Sequence, residues 1–233
     1  MMRVMQLRKS GVFLIFLAVL TAAVAGLSTV GAGNPSSEVG WAVVQRFVVV
    51  FVFAAMGLFI ADKSQINGSI VVTSDDTATT IRDIVNFGIL PGLVLGLINY
   101  FFFFAYRYSP YVLPRIRNMN SVYDAFILSL DSGLTEEVIY RLFFLSCFLY
   151  TFKQLYSRLK PLWPAAVQII PVALALVLSS ILFALAHRSP YSFTAAFFGG
   201  MLLGPIYMKA GVEAAIAAHF AADFLFFSAS YLS

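Results

Sequence analysis

The chain is short of charge, of cysteine and of histidine, and each shortage excludes something. Only 11% of its 233 residues are Asp, Glu, Lys or Arg, where a water-soluble domain carries about 25%. That rules out a soluble globule, a disordered chain and a coiled coil. A single cysteine, Cys147, leaves no intramolecular disulfide framework and cannot alone build a thiolate metal site. The net charge of +4 is small and scattered, so no nucleic-acid partner is expected. Short alternating strands of the outer-membrane barrel kind are also missing. The two histidines, His187 and His219, are easy to follow in such a chain.

What is present is apolar: 61% of residues are hydrophobic and the mean hydropathy is +0.88. Apolar runs at 11–30, 41–60, 84–106, 121–152, 162–186, 191–208 and 212–232 each approach the ~20 residues needed to cross a bilayer. The expected fold is therefore all-α, a polytopic transmembrane bundle of about seven helices forming a single integral membrane domain over 1–233. The first run follows Arg3, Arg8 and Lys9, but it is too long for a signal-peptide core and reads as a retained helix. Segment 62–83 is polar, with an Asn67-Gly68 turn and a weak strand signal at Ile70, Val71 and Val72. Segment 107–120 holds Pro110, Pro114, Arg115 and Arg117 and reads as an interfacial crossing that proline keeps from being one long helix.

Counting Lys and Arg in alternate loops gives the orientation. With the N-terminus inside, the inner side collects Arg3, Arg8, Lys9, Lys63, Arg82, Lys153, Arg158, Lys160 and Lys209, and the outer side Arg107, Arg115, Arg117 and Arg188. The expectation is a multi-pass membrane protein with its N-terminus in, in the cell membrane if the source is prokaryotic. Gly88, Gly92 and Gly96, and again Gly200 and Gly204, have the small-xxx-small spacing that lets helices approach closely in lipid. The Phe101–Phe104 run reads as lipid-facing bulk or interface anchors.

Most charges fall in loops. Those inside apolar runs, where one costs ~2.5–3.5 kcal/mol on insertion scales, are Arg46, Asp124, Asp131, Glu136, Glu137, Arg141, His187, His219 and Asp223. Arg46 lies near a span end and can snorkel to head groups; Asp124 starts its segment and reads as interfacial. Asp131-Ser132-Gly133 reads as a break, with Thr135 as N-cap of a new helix from Glu136. Acidic residues in a helix's first turn meet the positive end of its dipole, a structural reason for the Glu pair. On a helix, however, Glu137 and Arg141 share a face at i, i+4 and can pair. Glu136 points about 100° away, towards a cavity, as a candidate general base. His219 and Asp223 share a face in the last span at the same spacing. A shared polar site explains these residues better than independent structural placements.

Such a set can support hydrolysis by either of two routes. Two histidines and a carboxylate can bind a zinc ion that activates water, here Glu136, His187 and His219. They can equally activate water without metal, with no cofactor, while His and Asp or Asn donors hold an oxyanion. No Gly-x-Ser-x-Gly occurs, and Cys147 has no adjacent base in sequence.

The order Glu136-Glu137-x-x-x-Arg141, Phe183-x-x-x-His187, His219-x-x-x-Asp223 resembles the CAAX-protease and bacteriocin-processing family of membrane peptidases, which includes the Ras-converting CAAX prenyl endopeptidases. The likeness covers 121–233, with the site between the C-terminal four helices; Gly200-x-x-x-Gly204-x-x-Tyr207 also looks like the family's approach to its last motif. Residues 1–120 carry no family signature. The resemblance implies an intramembrane glutamic endopeptidase, with Glu136 as base assisted by His187. His219 and Asp223 would hold the oxyanion, and Glu137, Arg141 and Phe183 would support the site. The last motif often has Asn where this chain has Asp223, so Asp223 either donates in its protonated form, or orients His219, or in the zinc version serves as a ligand or supports one. The implied substrate is a protein or peptide with a C-terminal or membrane-embedded segment, lipidated or not, reached from membrane lipid. The competing readings are a non-catalytic scaffold or bacteriocin-immunity protein of the same fold, and a proton-coupled carrier, weakened by the absence of an internal repeat.

Overall fold

The computed structural model describes residues 2–31, 35–64, 81–106, 119–159 and 169–232, all of the regular structure among them helical. Seven helices follow one another there. They are α1 (Met2–Gly31), α2 (Ser36–Ser64), and α3 (a π-helical stretch Ile84–Ile89 running into Leu90–Tyr106). The long α4 joins Val122–Glu137, a π-helical stretch Val138–Leu145 and Ser146–Leu159. Then come α5 (Ile169–Leu185), α6 (Pro190–Ala210) and α7 (Val212–Leu232). The expected all-α bundle is thus present. Five of the segments are long and apolar enough to cross a membrane: Gly11–Val30, Ser36–Ser64, Ile81–Phe102, Val122–Arg158 and Val212–Leu232; Ile169–Leu185 is apolar but shorter. The molecule is an integral membrane protein. The strand signal at 70–72, residues 107–118 of the proline-rich crossing and the 162–168 start of the fifth run lie outside the described residues.

Helix ends follow local chemistry. The Ser121 hydroxyl accepts the Asp124 amide at 3.2 Å and starts α4, which puts Asp124 in the first turn, as expected of an interfacial residue. Ser189 does the same for Ser192 at the start of α6, with Pro190 next in line. Gly211, at φ 91°, ends α6 and lets α7 start one residue later; the left-handed backbone there favours glycine.

One sequence expectation is overturned. No break occurs at Asp131–Gly133, and Thr135 caps nothing: α4 runs unbroken through both. The reason is tertiary. Arg46 of α2 pairs with Asp131 Oδ2 at 3.0 Å and donates to Thr135 Oγ1 at 3.2 Å. The polar residues that suggested a helix end are therefore satisfied sideways, and Arg46 is a paired cation in the bundle. Gly133 is there because α7 crosses at that level, with Phe220 N and Ile216 O about 3.2 and 3.3 Å from where a Cβ would sit.

Helix α7 is central, packing on α4, α3 and α6. The Gly88–Gly92–Gly96 stripe of α3 lies against the backbone at Ala214, Ala218 and Ala222 of α7. In lipid, where apolar burial gives helices little reason to associate, such contact supplies the packing. Helix α5 pairs with α6, Gly200 meeting Ser180 and Gly204 meeting Leu176. Helices α3 and α6 touch each other only sparingly. Phe101 and Phe102 are exposed at the rim of α3, as expected of lipid-facing residues.

Candidate active site

Glu137 and Arg141 form the buried base of the site. They lie at the junction of the α-helical and π-helical parts of α4, and Arg141 Nε is 3.2 Å from Glu137 Oε2 with both side chains at or below 1% exposure. Two buried charges persist only when paired. The guanidinium also stacks over the Phe183 ring at 4.4 Å, a cation–π contact strengthened by desolvation. The i, i+4 pairing read from sequence is present.

Sequence spacing did not reveal the next link. The His219 ring sits with Nδ1 2.8 Å from Glu137 Oε1. Its Nε2 lies 3.5 Å from Asp223 Oδ2 and 3.7 Å from Glu136 Oε2. One imidazole from α7 thus stands among three carboxylates, two of them from α4. In its imidazolium form the ring has an acceptor for each N–H. Glu137 serves Nδ1, and the Nε2–H is the one turned towards the more open carboxylates, Glu136 at 25% and Asp223 at 20% side-chain exposure.

His187 follows α5, just beyond Leu185, rather than lying inside a span. Its amide donates to Ala184 O at 2.9 Å and its Nδ1 lies 2.9 Å from Phe183 O, so the residue caps the C-terminus of α5. A carbonyl can only accept, so Nδ1 carries a proton, and in the neutral ring Nε2 is then the acceptor. Phe183, between the histidines, meets the His187 ring edge-on at 5.0 Å and the His219 ring at 5.8 Å. This fixes one face of both rings.

Glu136, His187, His219 and Asp223 all line one cavity of about 130 Å³, room for several waters. Its remaining wall includes Ser132, Ser192 and Tyr191, and also Leu95 and Asn99 of α3. Sequence reasoning assigned the first 120 residues no part in the site. Asn99, one of the few polar side chains in an apolar run, was the signal to follow. Among the described residues no three His, Cys, Asp or Glu side chains are grouped to hold a metal ion. The set Glu136, His187 and His219 therefore shares a cavity without forming a ligand cage in this conformation.

The arrangement brings a carboxylate and two imidazoles to one cavity, with room for several waters, between membrane helices. Against known proteins, residues 118–225 match the family described as Type II CAAX prenyl endopeptidase Rce1-like. The match contains all three motifs of the cavity. No curated protein and no solved structure matches the chain.

Proposed function

From the Rce1-like domain over 118–225 as premise, we propose that this chain is an intramembrane endopeptidase of the glutamic type. It cleaves a peptide bond in a C-terminal or membrane-associated segment of a protein, with or without a lipid attached. The observation that carries the reading is the convergence of Glu136, His187, His219 and Asp223 on a single cavity.

A water in the cavity gives a proton to the Glu136 carboxylate as its oxygen attacks the peptide carbonyl carbon. The His187 Nε2 lone pair, fixed by the Nδ1 contact with Phe183 O, accepts the water's second hydrogen bond and aims the attack. Negative charge gathers on the former carbonyl oxygen, and His219 Nε2–H is the donor that meets it. Asp223 and the buried Glu137–Arg141 pair set the orientation and charge of that ring. As the tetrahedral intermediate collapses, the C–N bond breaks. The amine leaves with the proton held by Glu136, and the carboxylic acid formed beside it gives its own proton to solvent. Glu136 is on α4 and His187 directly follows α5, so the α4–α5 packing sets their relation.

The experiment uses the purified full chain in lipid nanodiscs. The probe is a quenched peptide ending in a farnesylated cysteine and three further residues, beside the same peptide without the lipid. Wild type cleaves, while Glu136→Gln and His187→Ala lose at least about 10²-fold in rate with unchanged helical content. Cleavage survives EDTA, and elemental analysis finds less than one zinc per chain. Full activity in Glu136→Gln, or activity lost with stoichiometric zinc and restored by it, overturns the mechanism.

A further inference from the structure

Helix α3 reaches the cavity through Leu95 and Asn99, four residues apart on one face. The neighbouring faces of the same helix are spoken for: Gly92 and Gly96 lie on α7, while Leu97, Ile98 and Phe101 are exposed towards lipid. A carboxamide in such a helix is costly unless it has a polar use. The position of Asn99 is fixed from outside the helix, because Tyr191 Oη of α6 donates to its backbone carbonyl at 2.9 Å. That contact bridges the two helices that otherwise meet sparingly across the cavity. The Asn99 carboxamide itself makes no hydrogen bond among the described residues, and it is partly open.

The cavity is rich in acceptors: the Glu136 and Asp223 carboxylates and the His187 Nε2 lone pair. A peptide lying there presents carbonyls as well as amides, and needs a donor away from the reacting centre. A carboxamide supplies a donor and an acceptor together, the pair that one residue of extended peptide backbone offers. We infer that Asn99 is a substrate-positioning residue that holds the backbone of the peptide beside the scissile bond, with Tyr191 as the strut that keeps it in place. The inference rests on the peptidase reading and adds to it a binding element from outside the matched domain.

Asn99→Leu, in the full chain with the quenched peptide, raises KM about tenfold, the scale of one lost hydrogen bond, with kcat within about twofold. Tyr191→Phe raises KM less. Replacing single substrate amides by esters locates the bond: one ester costs wild type about as much as Asn99→Leu does, and costs the variant nothing further. Unchanged KM in Asn99→Leu, a fall confined to kcat, or ester losses that add to the variant's at every position overturns the inference. Asn99→Ala replaces the leucine variant if that one does not fold. Binding of the labelled peptide to the Glu136→Gln protein, with and without Asn99→Leu, reads Asn99 independently of cleavage. Absence of cleavage by wild type with retained, Asn99-dependent binding therefore counts against the peptidase reading alone, and binding indifferent to Asn99 counts against the inference.

Discussion

The Glu137 carboxylate has two partners, Arg141 Nε at 3.2 Å and His219 Nδ1 at 2.8 Å, and no exposed surface. Removing one member of such a buried pair strands the other, which costs ~3–5 kcal/mol, whereas replacing both by apolar groups is close to neutral. Arg141→Met is therefore expected to lower the melting temperature of the detergent-solubilised protein sharply, and Glu137→Gln with Arg141→Met to recover much of the loss. Arg46→Met, which breaks the more open pair with Asp131, is expected to cost less, because the carboxylate left behind is partly exposed rather than sealed in the interior. Equal losses from Arg46→Met and Arg141→Met in the same melts would contradict this account. Glu137→Gln keeps an oxygen for His219 Nδ1, so it retains part of the cleavage that Glu136→Gln loses. The Glu137–Arg141 link was legible because both residues sit on one helix at a fixed spacing. The Glu137–His219 link was not, because it joins positions 82 residues apart through the way α7 crosses α4, and no local pattern encodes a crossing.

The elements are placed by what their sequences omit as much as by what they contain. A Cβ at Gly92 would run into the backbone carbonyl of Ala218, and one at Gly96 would come within 2.6 Å of Ala222 O. Real Cβ atoms do not approach so closely, so α3 and α7 would have to part, at ~1–3 kcal/mol for overpacking. Ala218 adjoins His219, and Ala222 adjoins Asp223. Gly92→Val is thus expected to lower both melting temperature and cleavage rate. Gly40→Ala on α2, with open space around its position, is neutral or stabilising by up to ~1 kcal/mol from helix propensity. A Gly92→Val protein with wild-type melting and rate would show that the stripe does not seat α7. The glycine spacing was visible in the sequence, as was the position of all seven helices, because apolar run length and small-residue spacing are local. The false break at Asp131–Gly133 arose from the same local reading: Ser, Gly and Thr in a row look like a helix end until Arg46 arrives from α2 to take Asp131 and Thr135. The π-helical stretch after Glu137 had no signature either. Its extra residue per turn changes which side chains share a face without changing composition.

At the scale of the whole molecule, the cross-links sort the helix ends into two sets. Lys153 Nζ of α4 donates to Ser64 O at the end of α2 at 3.0 Å, and Lys209 of α6 sits over Phe87 at the start of α3. At the other end Tyr231 of α7 donates to Asn120 O before α4, and Tyr191 of α6 to Asn99 O of α3. Since α6 turns directly into α7 at Gly211, the α6 end carrying Lys209 and the start of α7 share one side, and α7 runs back to Asn120. His219 lies seven residues into α7, ~10 Å along it. From there the cavity extends along α7 to Phe226 and along α6 to Tyr191, towards the end opposite the lysines. From the excess of Lys and Arg we propose that the lysine end, and with it the N-terminus, faces the cytoplasm. In a Cys147→Ala background, a single cysteine at the exposed positions Asp62 or Lys153 is expected to react with a membrane-impermeant maleimide only after the cells are opened, and one at Asn120 or Tyr231 in intact cells. Labelling of 62 and 153 from opposite sides would break the helix arrangement itself. Labelling of the two ends with the sides exchanged would keep the arrangement, reverse the orientation, and place the Tyr191–Phe226 end of the cavity on the cytoplasmic face.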